Sequence, residues 1–133
     1  MVGGPSDNGD IGATWVFVRS GSTWTQQGSK LIGSGAIGAA GQGFAVALSA
    51  DGNTALIGGY TDNGDAGAVW VFTRSGGTWT QQGTKLVGSG ASANAKQGAS
   101  VALSSDGNTS LIGAPRDNSS AGAAFVFTRS GST

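Results

Sequence analysis

Residues 67–121 read GAVWVFTRSGGTWTQQGTKLVGSGASANAKQGASVALSSDGNTSLIGAPRDNSSA, and they repeat residues 12–66 without a gap. The two segments are identical at 37 of 55 positions, and the same offset carries Trp70 onto Phe125. A fixed period of this size is the signature of a repeat protein, in which one unit cannot bury its apolar surface alone. We therefore expect the tail of a preceding repeat at 1–11, repeats at 12–66 and 67–121, and the first strand of a third repeat at 122–133.

Composition favours strands and turns over helices. Gly supplies 26 of 133 residues, Glu is absent, and seven Lys or Arg balance seven Asp. Gly disfavours helix interiors, while Glu and Lys are common on helix surfaces. The remaining residues are rich in Thr, Val, Trp and Phe, which are typical of strands. We predict an all-β protein with no helix.

Each repeat contains four short candidate strands, in the first copy at 14–18, 23–27, 44–48 and 54–57. Residues 20–22 and the Asp51-Gly52 pair are hairpin signals between neighbouring strands. Asn8 and Gly9 predict a turn with left-handed backbone before the first strand. Four antiparallel strands in one repeat are typical of a propeller blade. A parallel β-solenoid, which would have shorter and more uniform coils, is the alternative.

Residues 97–115, QGASVALSSDGNTSLIGAP, resemble the FG-GAP repeat of integrin-like β-propellers. Residues 112–115 supply the Gly-Ala-Pro element, while Gly43-Phe44 reverses the family's Phe-Gly. The segment 122–127 is similar to the first strand of the next blade. The resemblance implies a propeller of about seven antiparallel blades. It also implies an extracellular binding or adhesion platform rather than an enzyme.

The resemblance also directs attention to a calcium-binding loop, because many FG-GAP blades carry alternating Asp residues between their third and fourth strands. The corresponding loops here hold one carboxylate each, Asp51 and Asp106. Calcium takes six to eight oxygen ligands. We interpret both loops as hairpin turns, and the Asp7/Asp10 and Asp62/Asp65 pairs as turns as well. No metal or other cofactor is expected.

Several function classes find no support in the sequence. His, Cys and Glu are all absent, so the usual nucleophile and base pairs of an enzyme are missing. A net charge of zero argues against nucleic acid as a partner. No apolar run approaches the ~18 residues of a membrane span. We expect a structural or binding protein without catalytic activity.

The Trp residues are the candidate ligand contacts. Trp15 and Trp70 lie within apolar runs, and we expect both in the core between blades. Trp24 and Trp79 lie in amphipathic Thr-Trp-Thr-Gln-Gln segments. Each could stack on a sugar ring, with Gln26 or Gln81 hydrogen-bonding a hydroxyl. Packing is the favoured interpretation of both indoles.

Two repeats cannot close a propeller, and open sheet edges favour association. We predict that copies of the chain complete a ring together, with three chains giving six blades and four giving eight. Because residues 2–23 duplicate residues 112–133 in pattern, addition without closure into a filament is the other outcome. The expected function is a self-assembling scaffold. The alternative is a lectin-like or adhesive module that binds glycan or protein at blade junctions.

Overall fold

The computed structural model describes residues 1–131, in which short antiparallel strands alternate with tight turns. The strands are β1 (Val2–Gly4), β2 (Ala13–Trp15), β3 (Phe17–Ser20), β4 (Thr23–Gln26), β5 (Ala45–Leu48), β6 (Thr54–Gly59), β7 (Ala68–Ser75), β8 (Thr78–Gln81), β9 (Ser100–Leu103), β10 (Thr109–Ala114) and β11 (Ala123–Thr128). The helical turns are α1 (Asp7–Asp10), α2 (Asp62–Asp65) and α3 (Asp117–Ser120).

A four-stranded sheet, in the order β5-β6-β7-β8, occupies the middle of the chain. All of its pairs are antiparallel. The hairpin predicted at Asp51-Gly52 joins β5 to β6. The one predicted at residues 20–22 joins β3 to β4, and its copy one period later joins β7 to β8. Both predictions are confirmed.

The central sheet is offset from the expected repeat units 12–66 and 67–121. It combines the last two strands of one unit with the first two of the next. Short turns hold these four strands together, whereas the glycine-rich segments 27–44 and 82–99 lead from one sheet to the next. Leu31 forms a single bridge to Thr14 in the first of these segments. The central sheet therefore begins in the middle of a sequence repeat.

Partial sheets flank the central one. On the amino-terminal side β1 pairs with β2 and β3 pairs with β4, while on the carboxyl-terminal side the order is β11-β10-β9. All named strand pairs are antiparallel, which confirms the all-β class and excludes the parallel solenoid. The expected tail at 1–11 and third-repeat strand at 122–133 supply β1 and β11, although residues 132–133 lie outside the described part.

The expectation of no helix is wrong at three positions, where four-residue helical turns join consecutive strands. In α1 the φ angles of Asn8, Gly9 and Asp10 are 51°, 67° and 64°, so the backbone is left-handed there. The same conformation recurs in α2 and α3. Asn, Asp and Gly tolerate this region best, which is why a helical turn forms in a sequence poor in helix formers.

Trp70 is fully buried at the centre of the main core cluster, as predicted. Its Nε1 donates a hydrogen bond of 2.8 Å to the carbonyl of Ser34. A Cβ atom on Gly33 would lie 2.0 Å from the indole, so only glycine allows the segment after β4 to lie over this ring. Trp15, at the corresponding position in β2, is half-buried.

A second cluster comprises Leu56, Val69 and Ile112, with half-buried neighbours from β9 and β11. It lies between the central sheet and the carboxyl-terminal one. Close backbone contact brings these sheets together, because a Cβ atom on Gly58 would lie 2.2 Å from the carbonyl oxygen of Gly98. Among residues 1–131 there is no helix long and apolar enough to cross a membrane.

Candidate functional site at the junctions between sheets

The first junction lies between the β3–β4 hairpin and the central sheet, and it is built around Gln27. The Oε1 atom of Gln27 accepts a hydrogen bond of 3.2 Å from Arg74 Nη1 and one of 3.1 Å from Trp79 Nε1. Arg74 Nε also donates to Asn53 Oδ1 at 3.0 Å. The guanidinium carbon lies 5.7 Å from the Trp79 ring centroid, within the range of a cation–π contact.

Packing covers part of the Trp79 side chain. It lies against the main core cluster, which includes Val16, Leu31 and Phe72. Trp79 is thus half-buried with its indole N–H satisfied. This arrangement agrees with the packing interpretation of this residue.

The second junction repeats these contacts between the central sheet and the β9–β11 sheet. Arg129 Nη1 donates to Gln82 Oε1 at 2.8 Å, and Arg129 Nε donates to Asn108 Oδ1 at 3.1 Å. No indole lies over this second arginine in the part of the chain that the structure describes. An open pocket of about 290 Å³ occurs there instead.

This pocket is mainly apolar. Its walls come from both sheets and from the segment after β8. The lining includes Leu56, Val71, Gln82, Thr84, Leu86, Leu103, Ser110, Phe127 and Arg129.

Trp24 and Gln26 lie on β4 and face a different environment from their counterparts on β8. The Trp24 side chain is 63% exposed. Gln26 Nε2 donates only to the carbonyl of Gly28, at 2.9 Å. Arg19, opposite Trp24 in the hairpin, donates to the carbonyl of Gly21. The indole of Trp24 is therefore open to a partner.

Gln81, by contrast, already links two repeats. Its Oε1 accepts hydrogen bonds from the backbone N–H of Ser34, at 2.7 Å, and from the Ser34 hydroxyl, at 3.1 Å. Its Nε2 donates to the carbonyl of Gly83. The four sequence-predicted residues thus form two separate pairs, on β4 and β8, and the β8 pair is engaged in internal contacts.

The α2 turn contains a buried acid. Asp62 is 1% exposed, and its Oδ1 accepts a hydrogen bond of 2.8 Å from the backbone N–H of Ile37. Its Oδ2 lies 2.5 Å from Lys85 Nζ. Asp7 pairs with Lys30 in the same way, but both of those side chains are more exposed. Each pair ties a turn to the segment that follows the second strand of the next hairpin.

Buried glutamines hold the glycine-rich segments in place. Gln42 Oε1 accepts from the N–H of Gly33 at 2.6 Å, and Gln42 Nε2 donates to the carbonyl of the same glycine at 2.9 Å. Gln97 makes the same pair of contacts to Gly88. These amides satisfy backbone groups that would otherwise be buried without partners.

The hairpin aspartates bond within their own turns. Asp51 accepts from the Ser49 hydroxyl at 2.6 Å and from the Asn53 backbone N–H at 2.9 Å. These bonds, with the Ser49 hydroxyl first, lower the pKa of Asp51 from 3.8 to about 2. The Ser104 hydroxyl likewise lowers the pKa of Asp106. Both residues therefore act as turn formers, as the sequence predicted.

No group of three or more acidic side chains is close enough to hold a metal ion within the described range 1–131. The α3 turn has lost the second carboxylate of its two counterparts. Its remaining acid, Asp117, accepts from the backbone N–H of Ser92 at 2.6 Å. That bond is the main cause of the lowered pKa of Asp117.

The junction residues Gln27, Arg74 and Asn53 were not predicted from sequence. A usable signal existed, because each recurs one period later as Gln82, Arg129 and Asn108. Gln27 directly follows β4, and a hairpin considered alone gives no reason to connect this residue with Trp79. The contact joins residues 52 positions apart, across two sheets.

Comparison with known proteins supports the resemblance found in the sequence. Residues 79–127 match the family model described as FG-GAP repeat. The matched stretch runs from β8 to β11 and includes Gln82 and Asn108 of the second junction. No curated protein sequence matches the chain.

Proposed function

We propose that this chain is a non-catalytic scaffold protein which self-assembles into a propeller-like structure. The FG-GAP match over residues 79–127 supports a β-propeller-like repeat module. Self-assembly goes beyond this match and is the part of the proposal that is tested below.

The observation that carries the proposal is the complementarity of the two partial sheets. The β9–β11 sheet has a counterpart for every strand of the central sheet except β8. The amino-terminal strands have counterparts for β7 and β8 but none for β5. One end of the 133-residue chain thus offers strands that the other end lacks. Head-to-tail contact between copies would bring the two ends together.

Ring closure would remove the open edges. Three chains would supply six whole repeats and four would supply eight, and propellers contain roughly four to eight blades. Contacts that do not close would produce a filament. The lack of His, Cys and Glu supports a role without catalysis.

The proposal is tested by native mass, measured by light scattering coupled to size exclusion over a hundredfold range of protein concentration. We expect a species of three or four chains, or larger material if the contacts do not close. A mass of 12.9 kDa at every concentration would overturn self-assembly. Electron microscopy of the larger material would separate rings from filaments.

A second candidate function is glycan binding at β4, and the exposure of Trp24 is the observation that favours it. An exposed indole with an amide two residues away can stack on a sugar and hydrogen-bond a hydroxyl. Tryptophan fluorescence titrated with simple sugars, on the native chain and on Trp24→Ala, tests this function. A saturable change that disappears in the variant would support binding, and a flat titration would exclude these sugars.

A further inference from the structure

The first observation is a second open pocket, which lies at the first junction between sheets. It has a volume of about 290 Å³ and is enclosed by the segment that follows β4 and by the start of β8. This volume is at the lower end of the range for ligand-binding pockets, so the pocket suits a small molecule. The side chains that line it are Gln27, Ser29, Lys30, Leu31, Thr78 and Trp79.

The amide of Gln27 has a fixed orientation beside this pocket. Its Oε1 accepts hydrogen bonds from Arg74 Nη1 and Trp79 Nε1, and only the oxygen of an amide can accept. The Nε2 atom therefore keeps both of its hydrogens, and it makes no hydrogen bond with any group of residues 1–131. It lies close to the opposite wall, because a Cβ atom on Gly77 would be 3.7 Å from it.

Two hydroxyl groups line the same pocket, from Ser29 and Thr78. Within the described range 1–131, neither hydroxyl has a hydrogen-bond partner. A hydroxyl can both donate and accept, whereas the Nε2 atom of Gln27 can only donate. The pocket thus offers three polar groups, and each of them can bond to a hydroxyl group of a ligand.

Charge argues against an ionic ligand. Among the described residues that line the pocket, only Lys30 is charged, and its Nζ pairs with Asp7. The same amine lies 5.9 Å from the centroid of the Trp15 ring. Neither Asp7 nor Trp15 lines the pocket, so the lysine charge is compensated outside it. A neutral ligand is therefore favoured.

Trp79 and Leu31 supply the apolar part of the pocket. The indole N–H of Trp79 is already bonded to Gln27, so its ring offers apolar surface and no free donor. Gln27 and Arg74 also hold the ring in place, so little side-chain entropy is lost when a ligand packs on it. A sugar ring matches this combination, because it carries apolar C–H groups together with hydroxyl groups.

From these observations we infer that the pocket at the first junction binds a neutral hexopyranose. The sugar ring packs against Trp79, and its hydroxyl groups bond to Gln27 Nε2 and to the hydroxyls of Ser29 and Thr78. This site goes beyond the proposed self-assembly, since both of its walls belong to one chain. It is also distinct from the β4 site, because Trp24 is not among the residues that line the pocket.

NMR titration of the isotope-labelled native chain with glucose, galactose and mannose tests the inference. We expect the signals of the Trp79 indole N–H and of the Gln27 amide to shift saturably with at least one of these sugars. If neither signal shifts with any of the three, the inference is overturned. Methyl glycosides of the same sugars separate two sources of the ring. They bind if the pocket takes the terminal residue of a glycan, and only the free sugar binds if it takes a free hexose.

Two variants remove polar groups from the pocket. Thr78→Val removes one hydroxyl with little change in volume, and it should weaken sugar binding roughly fivefold, since a hydrogen bond contributes about 1 kcal/mol. Gln27→Glu keeps an acceptor for Arg74 and Trp79 but removes the Nε2 donor, so binding should weaken at least as much. The matched control is Thr23→Val, because Thr23 lies one period before Thr78 and does not line the pocket. This variant should bind sugar as the native chain does.

The outcomes separate this pocket from the β4 site and from self-assembly. Weaker binding in Thr78→Val and Gln27→Glu, with Trp24→Ala unchanged, would support the pocket. If those two variants bind like the native chain, the pocket is overturned, and a loss in Trp24→Ala would then place the sugar on β4. A monomeric chain that binds sugar in the pocket would retain this inference although self-assembly fails. Circular dichroism of each variant verifies that a loss of binding is not a loss of folding.

Discussion

At the scale of single residues, Asp51 shows how a hairpin depends on its ionised side chain. The Ser49 hydroxyl, first, and then Asn53 lower its pKa from 3.8 to about 2. Because the folded pKa lies below the unfolded one, these bonds stabilise the folded state fully above pH 3.8, and their contribution is lost as the pH falls toward 2. We therefore expect the Tm to fall across this interval. The Asp51→Asn variant should show a shallower fall, and an identical slope would contradict the assignment.

A second residue-scale prediction concerns Ser119 in the α3 turn. Its φ angle is 58°, and Gly9 and Gly64 occupy the equivalent positions in α1 and α2. A left-handed backbone costs a residue with a Cβ atom about 1–2 kcal/mol. Glycine avoids this cost, but its unfolded chain has more conformational freedom, which offsets part of the gain. Ser119→Gly should therefore raise the free energy of unfolding by about 0.5–1 kcal/mol. Urea unfolding measures this change. The reverse substitution, Gly64→Ser, should lower stability by a similar amount.

At the scale of elements, the α2 turn depends on the pair formed by Asp62 and Lys85. Removing one partner of a buried ion pair leaves the other without compensation. Lys85 remains 17% exposed, so we place the cost of Asp62→Ala at the lower end of the usual range, roughly 3 kcal/mol. Asp7→Ala is the matched control, because the same pair in α1 is more exposed and should contribute about 1 kcal/mol or less. Equal losses in urea unfolding would show that burial does not govern this contact.

The glycine-rich segments provide another element-scale prediction. Gln42 satisfies both the N–H and the carbonyl of Gly33, and it is fully buried. Replacing it by Leu removes both partners while keeping most of the volume, which should cost roughly 3 kcal/mol. Gln26→Leu changes an exposed glutamine with one local bond and should stay within about 0.5 kcal/mol of the native chain. If Gln42→Leu left the free energy of unfolding unchanged, water would have replaced the hydrogen bonds of the amide.

The elements also show where sequence reasoning succeeded and where it failed. Local signals were sufficient for the strands, for the hairpin at Asp51-Gly52 and for the left-handed turn at Asn8, because backbone preference decides those features within a few residues. They were insufficient for the offset of the sheet, which depends on the short α2 turn joining β6 to β7 across the boundary of two repeats. They also missed Gln42, because a buried amide that holds a glycine nine residues away has no local signature.

At the scale of the whole molecule, the repeat period accounts for contacts between sheets that no single motif predicts. Gln27 and Gln82 receive hydrogen bonds from Arg74 and Arg129, respectively. The two junctions are therefore built from the same residues. A repeat protein gains stability from each interface between neighbours, so both junctions help to hold consecutive sheets together.

The proposed self-assembly predicts that stability depends on protein concentration. A partner that binds only the folded state adds RT ln(1 + [L]/Kd) to the free energy of unfolding, or about 1.4 kcal/mol for each tenfold rise above Kd. The Tm of the native chain should therefore increase with concentration. Differential scanning calorimetry over a hundredfold concentration range measures this increase. If the native chain has a constant Tm while light scattering shows it to be assembled, its association would not be linked to folding.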